Sequence, residues 1–406
     1  MNNSILIFTD NYPYGKSEPF LETELKFIVN SFERITILPI QTGEDREIRK
    51  IPEKTEVLDP VFNEIKNKKE LISKGLFNTS PVWSLLVEGI RKGAWKSPSG
   101  FRIWFTHLLV IRSLITAIKL RNLARLFKEH DILYFYWGLR WSQVIPFLSP
   151  DMNSRIVVRF HGSDLYEHTN KGFIPWRFQQ LKRINSALVI SETGRKYIEE
   201  QYPFMKDRIY LSRIGTIDYG LNPYSGSDSL RIVSCSGMVA VKRLDLIVKA
   251  LGFLKIRVEW IHFGTGPLRK DIERLSAKLP ENIKCTLAGA LKHEDLMDYY
   301  RTTPIDLFIN VSSSEGVPVS IMEALSFGIP VIATNVGGTP EIVSEKTGSL
   351  IDKDFPPESL AYKIEELLNK PDLTTMRKAA RSEWEKRSMA DKVYPGFIDH
   401  LLSPGK

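Results

Sequence analysis

The stretch that most constrains this chain covers residues 312–341, SSSEGVPVSIMEALSFGIPVIATNVGGTPE. It follows residues 305–311, a short apolar run with β-branched residues that is typical of a strand buried in a parallel sheet. Pro318 is placed to open a helix, because the fixed φ and missing N–H of proline suit the first helical position. Gly328, with Pro330 two residues later, predicts the end of that helix. The stretch therefore predicts a strand, a turn and a helix.

A second strand and a second helix follow directly. Residues 330–333 are a short apolar run, which we predict as another buried strand. The segment Gly337-Gly338-Thr339-Pro340 then predicts the start of a further helix, with Thr339 as its N-cap.

The start of the first predicted helix is suited to an anion. The amides of Val319 and Ser320 have no acceptor within the helix, and the macrodipole favours a phosphate there. Glu323 lies one turn further on the same face as Val319, and Glu315 precedes the helix. A carboxylate repels a phosphate but accepts hydrogen bonds from hydroxyl groups. The pattern therefore fits a nucleotide sugar, whereas the alternative is a surface turn with two solvated acids.

The same residues resemble a known family signature. Glu315, Glu323, the run ALSFGIPVIAT, the pair Gly337-Gly338 and Glu341 are similar to the C-terminal signature of retaining GT-B glycosyltransferases of the group 1 kind, family 4. The resemblance implies an α/β fold with two facing Rossmann-like domains and parallel sheets. It also implies that Glu315 contacts the donor sugar and that Glu323 holds the ribose hydroxyls.

The resemblance assigns further residues of the C-terminal half to donor binding. The amides of Val319 and Ser320, with Gly316 beside them, would contact the diphosphate. The turn containing Gly264 and Gly266 would line the nucleotide pocket, and the strand end at Ala290 would lie against the base; alone, that glycine pattern is weak. These donor-side positions are Gly264, Gly266, Ala290, Gly316, Val319 and Ser320.

One departure from the family concerns the loop that holds the donor phosphates. Family members usually carry an arginine where this chain has Gly237, together with a lysine at the position of Lys242. The lysine is present and the arginine is absent. Either Arg243 or a basic residue of the first domain compensates, or the diphosphate is bound more weakly.

The length of 406 residues predicts two domains. Residues 219–229 are rich in Gly, Ser, Pro and Asn and form the best linker. We predict an N-terminal, acceptor-side domain over residues 1–218 and a C-terminal, donor-binding domain over 230–388. A last helix within 389–406 is expected to cross back onto the first domain, as the resemblance implies.

Two loops of the first domain are candidate site segments. Tyr14, Gly15 and Lys16 follow the first predicted strand, and the resemblance places this loop near the acceptor; a plain loop tip is the alternative. His161 ends another predicted strand, where an α/β fold places functional side chains. The resemblance implies that His161 reaches the donor sugar, although such a histidine is also often structural. We expect Asp164 to orient the turn or His161.

Basic charge is concentrated in the first half of the chain. Residues 1–220 contain 32 Lys and Arg against 24 Asp and Glu, and residues 89–128 contain nine basic side chains and no acid. With Trp83, Trp95 and Trp104, this predicts amphipathic helices that lie on an anionic membrane surface. The alternative is a core-facing helix with a solvated basic back.

The sequence also bears on location. It has no uninterrupted apolar run of eighteen residues and no recognisable secretory signal. Cys235 and Cys285 are expected to be buried reduced thiols. We therefore expect a cytoplasmic protein, with peripheral contact at the inner face of the plasma membrane.

These observations lead to a hypothesis for the function. The chain would transfer a hexosyl unit from a UDP- or GDP-sugar to an acceptor hydroxyl with retention of configuration, using Glu315, His161 and Lys242. We expect no metal and no cofactor, since no cluster has metal-ligand spacing. The loop at residues 12–24 and residues 161–175 resemble enzymes of bacterial surface polysaccharide synthesis, which implies a lipid-linked oligosaccharide acceptor.

Three rival functions compete with this hypothesis. A nucleotide-sugar-binding protein with little or no turnover is compatible with the missing arginine at Gly237. A non-hydrolysing sugar-nucleotide epimerase is disfavoured by the signature of Glu and Gly residues. A nucleic-acid binder would need a recognition motif or an aromatic platform, and the sequence shows neither.

Overall fold

The computed structural model describes residues 3–15, 17–43, 47–62, 80–91, 93, 95, 97–170, 172–223, 229–368 and 373–403. The chain divides into two compact units. The first unit runs to Ser212 and takes up the chain again from Tyr394, and the second runs from Arg213 to Val393.

The first unit is built on a parallel sheet of seven strands in the order β3-β2-β1-β4-β5-β6-β7. Its strands are β1 (Ser4–Thr9), β2 (Arg34–Pro39), β3 (Thr55–Val57), β4 (Ile132–Phe135), β5 (Arg155–Phe160), β6 (Ser186–Val189) and β7 (Ile209–Leu211). Its helices within the described ranges are α1 (Pro19–Ile28), α2 (Ser80–Arg91), α3 (Pro98–Leu120), α4 (Leu123–Lys128), α5 (Arg177–Arg183) and α6 (Glu192–Gln201).

The central strands of this sheet are buried on both faces. Every residue of β1 and β4 is buried, which explains their nearly continuous apolar sequences. Phe8 and Phe135 on these neighbouring strands stack with their ring centroids 4.2 Å apart. The same core takes in Trp104, Leu108 and Ile111 of α3. The apolar face of α3 is therefore directed into the core.

The second unit is built on a parallel sheet of six strands in the order β10-β9-β8-β11-β12-β13. Its strands are β8 (Leu230–Cys235), β9 (Val258–Phe263), β10 (Ile283–Gly289), β11 (Leu307–Asn310), β12 (Val331–Thr334) and β13 (Gly348–Ile351). Its helices within the described ranges are α7 (Leu244–Leu251), α8 (Arg269–Ser276), α9 (His293–Thr302), α10 (Val319–Ser326), α11 (Pro357–Leu368) and α12 (Leu373–Arg387). The α/β prediction is confirmed.

The last helix, α13 (Ala390–Leu402), begins in the second unit and ends in the first. Its Tyr394 packs on Phe27 with a centroid distance of 4.9 Å, and its Phe397 lies 5.7 Å from the ring of Tyr134. Aromatic packing therefore holds the end of the chain in the first unit.

The boundary between the units lies earlier than the predicted linker. It follows Ser212, whereas the linker was placed at residues 219–229, part of which lies outside the described residues. In the described part, Asn222 is buried and donates to the carbonyl of Tyr300 at 2.6 Å. It also accepts from the amide of Ile305 at 3.0 Å. These bonds explain why this polar segment packs within the second unit.

The helix starts differ in detail from the predicted ones. Pro318 is the N-cap of α10, with ψ of 115°, and Val319 is the first helical residue. The prediction of Thr339 as an N-cap is wrong. Gly338 occupies that position, and Thr339 begins a short 3₁₀ turn that ends at Glu341. The tight turn at the paired glycines moves the cap one residue earlier.

Candidate functional site

The strand order of the second unit reverses between β8 and β11, which lie side by side. In an open α/β sheet, ligands bind at such a switch point, outside the carboxyl ends of the strands. The loop after β8 contains residues 236–243, and the loop after β11 contains residues 311–318. The amide of Ser313 donates to the carbonyl of Val241 at 2.8 Å, so the two loops are joined.

An ion pair lies where these two loops meet. Lys242 Nζ is 2.6 Å from Glu315 Oε1, and the two side chains are 24% and 12% exposed. Asn310 Nδ2, at the end of β11, donates to the same oxygen at 3.3 Å. The fold thus brings together two of the three predicted catalytic residues, which are distant in sequence.

The start of α10 lies next to Glu315 in the chain. The amides of Val319 and Ser320 are the first two of the helix, so they have no acceptor in a preceding turn. Glu323, in the next turn, is 9% exposed. His293 Nε2, at the start of α9, lies 2.7 Å from Glu323 Oε1. The contact with His293 was not predicted from the sequence.

This set of groups matches a diphosphate ester that carries hydroxyl groups. Lys242 supplies a cation, the helix amides supply neutral donors, and the two glutamates supply acceptors. Among the described residues, no group of three or more His, Cys, Asp or Glu could hold a metal ion. The expectation that the site needs no metal stays a prediction.

Gly337 and Gly338 pack against the backbone of the Glu315 loop. The amide of Gly338 donates to the carbonyl of Gly316 at 2.6 Å. A Cβ on Gly337, whose φ is +54°, would lie 1.9 Å from the carbonyl oxygen of Glu315. The glycine pair of the signature therefore permits a backbone contact that a side chain would block.

The predicted nucleotide-side glycines follow the carboxyl end of β9, the strand next to β8. Gly264 has φ of +137°, and a Cβ on it would lie 1.9 Å from the carbonyl oxygen of Ser236. A Cβ on Gly266 would lie 2.5 Å from the carbonyl oxygen of Met238. Ala290 follows β10 and is exposed. The loops after β8 and β9 are thus packed backbone against backbone.

The Arg243 side chain is engaged by backbone carbonyls of the second unit. Its Nε donates to the carbonyl of Val311 at 2.8 Å, and its Nη1 donates to that of Lys353 at 2.7 Å. These contacts do not support Arg243 as the replacement for the missing arginine. At Gly237 itself φ is not positive, and an added Cβ would meet only the carbonyl oxygen of Thr265, at 3.8 Å.

His161 lies after β5 in the first unit, and its ring packs against those of Tyr136 and Trp137 at centroid distances of 4.7 and 4.3 Å. Its side chain is 8% exposed, and Nδ1 is 3.7 Å from Asp164 Oδ2, which is beyond hydrogen-bond length. Among the described residues, neither ring nitrogen has a hydrogen-bond partner. Such a buried group is costly unless a ligand completes it. Asp164 accepts from the amides of His161 and Gly162, at 2.7 and 3.1 Å, and so holds the turn.

The loop after β1 is fixed by one carboxylate. Glu18 accepts from the amides of Asp10, Asn11 and Tyr12 at 2.9, 2.8 and 2.6 Å. It also accepts from Trp137 Nε1 at 2.7 Å. The loop is therefore positioned by side-chain contacts that join it to the end of β4.

The predicted acceptor-side residues lie further along this loop. Tyr14 forms an antiparallel bridge with Ile48. Gly15 has φ of +60°, and its amide donates to the carbonyl of Glu47 at 3.1 Å. Lys16 lies outside the described residues. The acceptor role of these three residues stays a prediction.

An ion pair that sequence reasoning missed joins the loops after β1 and β4. Arg140 Nη1 is 2.9 Å from Asp10 Oδ2, and the Asp10 side chain is 21% exposed. Burial raises the pKa of Asp10 to about 7 although Arg140 opposes the rise, and Glu18 and Asp164 add to it. The sequence does show an aspartate directly after the first buried strand. Its partner Arg140 could not be identified, because it comes from a distant part of the chain.

This pKa gives a prediction for stability. Because the folded protein binds the Asp10 proton more tightly than the unfolded chain, Asp10 makes the fold less stable as the pH rises towards 7. Asp10→Asn removes this effect. Between pH 5 and pH 8, the free energy of unfolding of the wild type should therefore fall by about 3 kcal/mol relative to that of the variant. Chemical denaturation of both proteins at the two pH values measures the difference. An equal difference at both values would contradict the raised pKa.

An exposed apolar surface lies at the start of the α2–α3 region. On α2, Trp83, Val87 and Ile90 are 70%, 63% and 63% exposed and share one helical face. Trp95, Phe101 and Phe105 are exposed nearby in the chain. We call these six residues the aromatic surface. Trp104, which the sequence also assigned to this role, is buried in the core.

One helix in the described part of the chain, α3, has the length and composition of a membrane span, with a mean hydropathy of 1.5. Arg112 and Lys119 interrupt its apolar run, which is why the sequence shows no continuous one. Within the first unit, 44% of its apolar window is buried, and a core helix meets the same criteria. The burial of Trp104, Leu108 and Ile111 in the core favours a core helix over a membrane span.

Comparison with known proteins decides the family. The sequence model of the family "Glycosyl transferases group 1" matches residues 225–385. The lipopolysaccharide core biosynthesis mannosyltransferase LpsB of Rhizobium meliloti is 32% identical over 285 residues, which cover 64% of this chain and 68% of that protein. This chain belongs to the group 1 glycosyltransferases.

Other similar proteins match shorter parts of the chain. The sulfoquinovosyl transferase SQD2 of Arabidopsis thaliana is 31% identical over 169 residues, which cover 40% of this chain. The match spans only 31% of the length of that relative.

A solved structure confirms the fold class. The crystal structure of Anabaena Alr3699/HepE in complex with UDP matches with a TM-score of 0.66 and covers 99% of this chain and 100% of that one. Since only 15% of residues are identical, the likeness concerns the fold alone. The prediction of a GT-B fold with two Rossmann-like domains is confirmed.

Proposed function

We propose that this group 1 glycosyltransferase moves a hexosyl unit from a UDP- or GDP-sugar to an acceptor hydroxyl, with retention of the anomeric configuration. The observation that carries the proposal is the switch point of the second unit. There Lys242 and Glu315 form a shielded pair at 2.6 Å, and the free helix start at Val319 and the buried Glu323 follow in the chain.

Each of these groups has a role in the proposal. Lys242 and the helix amides bind the diphosphate, and Lys242 stabilises the charge that develops on it as the bond to the sugar breaks. Glu315 accepts hydrogen bonds from the sugar, and Glu323 accepts them from the ribose. Because Lys242 already contacts Glu315, the cation is held in place before the donor binds. This preorganised cation is proposed to serve without a metal.

His161, the third proposed catalytic residue, lies after β5 in the first unit. Its two ring nitrogens are buried without a partner among the described residues, which favours a ligand hydroxyl as their complement. We propose that this hydroxyl belongs to the donor sugar.

The relatives support the choice of substrates. UDP is named in the Anabaena structure, and the Rhizobium meliloti relative is named for lipopolysaccharide core synthesis. We propose a nucleotide sugar as the donor and a lipid-linked oligosaccharide of bacterial surface polysaccharide synthesis as the acceptor.

Analysis of the product tests the proposed reaction. The protein would be incubated with each of a panel of UDP- and GDP-hexoses and with p-nitrophenyl glycosides as soluble acceptors. Release of nucleoside diphosphate, and a new glycosidic bond with the anomeric configuration of the donor by NMR, would support the proposal. An inverted product would exclude retention, and donor binding without any cleavage would favour the alternative below.

A nucleotide-sugar-binding protein with little or no turnover is the second candidate. Gly237 favours it, because the family usually has an arginine at this position. We predict that Gly237→Arg tightens binding of the nucleoside diphosphate about tenfold or more, since the position has ordinary backbone geometry and room for a side chain. Calorimetric titration with UDP and GDP measures this. Unchanged or weaker binding would show that another group already fills the role.

We further propose that the aromatic surface contacts an anionic membrane on the cytoplasmic side. Its exposed apolar residues lie in the basic first half of the chain, and Arg91 and Arg102 beside it are exposed. By contrast, Arg121 donates to the carbonyls of Asp59 and Pro60, at 3.0 and 3.1 Å, so its charge is partly engaged within the protein.

The membrane proposal predicts a loss of vesicle binding. Replacing Trp83 and Ile90 together by Ser should weaken binding to phosphatidylcholine–phosphatidylglycerol vesicles at least tenfold, because two exposed apolar side chains that would enter the bilayer are lost. Co-sedimentation measures the effect. The matched control is Tyr362→Ser, which removes an aromatic side chain that is 67% exposed on α11. Equal losses in both variants, or no binding by the wild type, would reject the proposal.

A further inference from the structure

We propose that Asp10 and Arg140 form an acceptor-binding pair in the first unit, in which the Asp10 carboxylate accepts hydrogen bonds from the hydroxyl groups of a glycan. The inference rests on the proposed transferase function and names residues for the acceptor site, which the resemblance places in the first domain. No part of the family signature includes either residue.

The first reason is the position of the pair in the sheet. The strand order of the first unit reverses between β1 and β4, in the same way as that of the second unit reverses between β8 and β11. Asp10 directly follows β1, and Arg140 opens the 3₁₀ helix Arg140–Phe147 that follows β4. The pair therefore bridges the switch point of its sheet, where an open α/β fold binds its ligand.

The two units are alike in this respect. In the second unit, Lys242 and Glu315 bridge the corresponding pair of loops at 2.6 Å. In the first unit, Asp10 and Arg140 do so at 2.9 Å. Each switch point thus holds one acid and one base from its two flanking loops. If the second pair serves the donor, the first is in the equivalent place for the other substrate.

The second reason is that Asp10 is held in place at a cost to the fold. Glu18 accepts from its amide at 2.9 Å, and Arg140 adopts a left-handed backbone with φ of +55°. Non-glycine residues in such a conformation are uncommon and cluster at functional sites. The charged groups that face Asp10 are Arg140, Glu18 and Asp164, so two of the three are acids that disfavour its charge. The ionised Asp10 side chain is therefore kept at a cost in stability.

The surroundings match a sugar. Trp137 has its ring nitrogen engaged by Glu18, and its ring lies 4.3 Å from that of His161, which follows the next strand, β5. The partnerless nitrogens of His161 lie at the same edge of the sheet as Asp10. Aromatic rings beside hydrogen-bonding groups present both an apolar and a polar contact to a pyranose, whose faces carry C–H groups and whose rim carries hydroxyls.

Saturation-transfer NMR tests the inference on the full-length protein. The probes are p-nitrophenyl α- and β-glycosides of glucose, galactose, mannose and N-acetylglucosamine, each with UDP or GDP present. We expect at least one probe to bind the wild type, and Asp10→Asn to weaken that binding tenfold or more. Arg140→Gln should weaken it less, because Asp10 remains. Binding of UDP or GDP should be unchanged in both variants.

The control is Asp151→Asn, which removes the acid of the exposed ion pair Lys128–Asp151 in the same unit and should leave glycoside binding unchanged. Glycoside binding that is unaffected in Asp10→Asn, or absent in the wild type, would overturn the inference. A wild-type protein that binds neither UDP nor GDP would instead count against the proposed function. A melting temperature close to that of the wild type shows that each variant is folded.

Discussion

Lys242→Ala should lower kcat by about a hundredfold to a thousandfold while the protein stays folded. The cation lies at the switch point of the second unit and contacts Glu315 at 2.6 Å. Removal of one preorganised group that stabilises transition-state charge typically costs this factor. Because the lysine binds the diphosphate more tightly as negative charge develops there, the effect should appear in kcat more than in the donor KM.

The partner residue refines this prediction. Glu315→Gln keeps an acceptor for the sugar but removes the charge that pairs with Lys242, and Glu315→Ala removes both interactions. If the two residues act as a unit, the double variant Lys242→Ala/Glu315→Ala should be little worse than the worse single variant. Additive losses would show that the residues act independently.

A matched control separates the loss of this lysine at the site from the loss of any paired lysine in the unit. Lys249 pairs with Asp245 at 2.9 Å on the exposed face of α7, in the same unit. Lys249→Ala should leave kcat near the wild-type value. A Lys242→Ala enzyme with wild-type turnover would contradict the site assignment.

Gly264→Ala should abolish donor binding and destabilise the second unit. A Cβ at this position would lie 1.9 Å from the carbonyl oxygen of Ser236, and the φ of +137° is unfavourable for alanine. Strained backbone alone costs of the order of 1–3 kcal/mol, and the clash requires the loops after β8 and β9 to separate. Since the loop after β8 also carries Lys242, the cation would be displaced.

The control lies in the same pair of loops. Gly237→Ala adds a Cβ that would meet only the carbonyl oxygen of Thr265 at 3.8 Å, without a positive φ. This variant should keep its melting temperature and its affinity for the donor nucleotide. Calorimetric titration and thermal melting of both variants distinguish the two cases. A stable, binding-competent Gly264→Ala protein would show that the close backbone packing is not needed.

Local sequence patterns predicted the elements that carry the site. The strand at β11, the helix of Val319 and its end at Gly328, which has φ of +70°, all follow from apolar runs and helix-end signals. Such signals act over a few residues, so one sequence is enough to find them. The prediction of Thr339 as an N-cap failed because Gly338 and Thr339 both suit that position, and Gly338 occupies it.

Long-range pairing is what the sequence could not provide. The contacts of Lys242 with Glu315, Asp10 with Arg140 and His293 with Glu323 depend on which strands become neighbours. Strand order is set by the packing of the whole unit, and a single sequence does not contain it explicitly.

The exposure of aromatic residues was also not predictable from periodicity. The same pattern gives a buried Trp104 on α3 and an exposed Trp83 on α2. A helical repeat identifies a face but not the element that covers it.

Thermal stabilisation of the purified protein by UDP-, GDP-, ADP- and dTDP-sugars tests the donor site of the second unit most directly. A ligand at a hundred times its dissociation constant adds about 2.7 kcal/mol, which corresponds to a rise in Tm of about 2–4 °C. We predict a rise with UDP- or GDP-sugars that is lost in Glu323→Ala, because the ribose would lose its acceptor. No rise with any nucleotide sugar, from a folded sample, would contradict the assignment of the switch point in the second unit as the donor site.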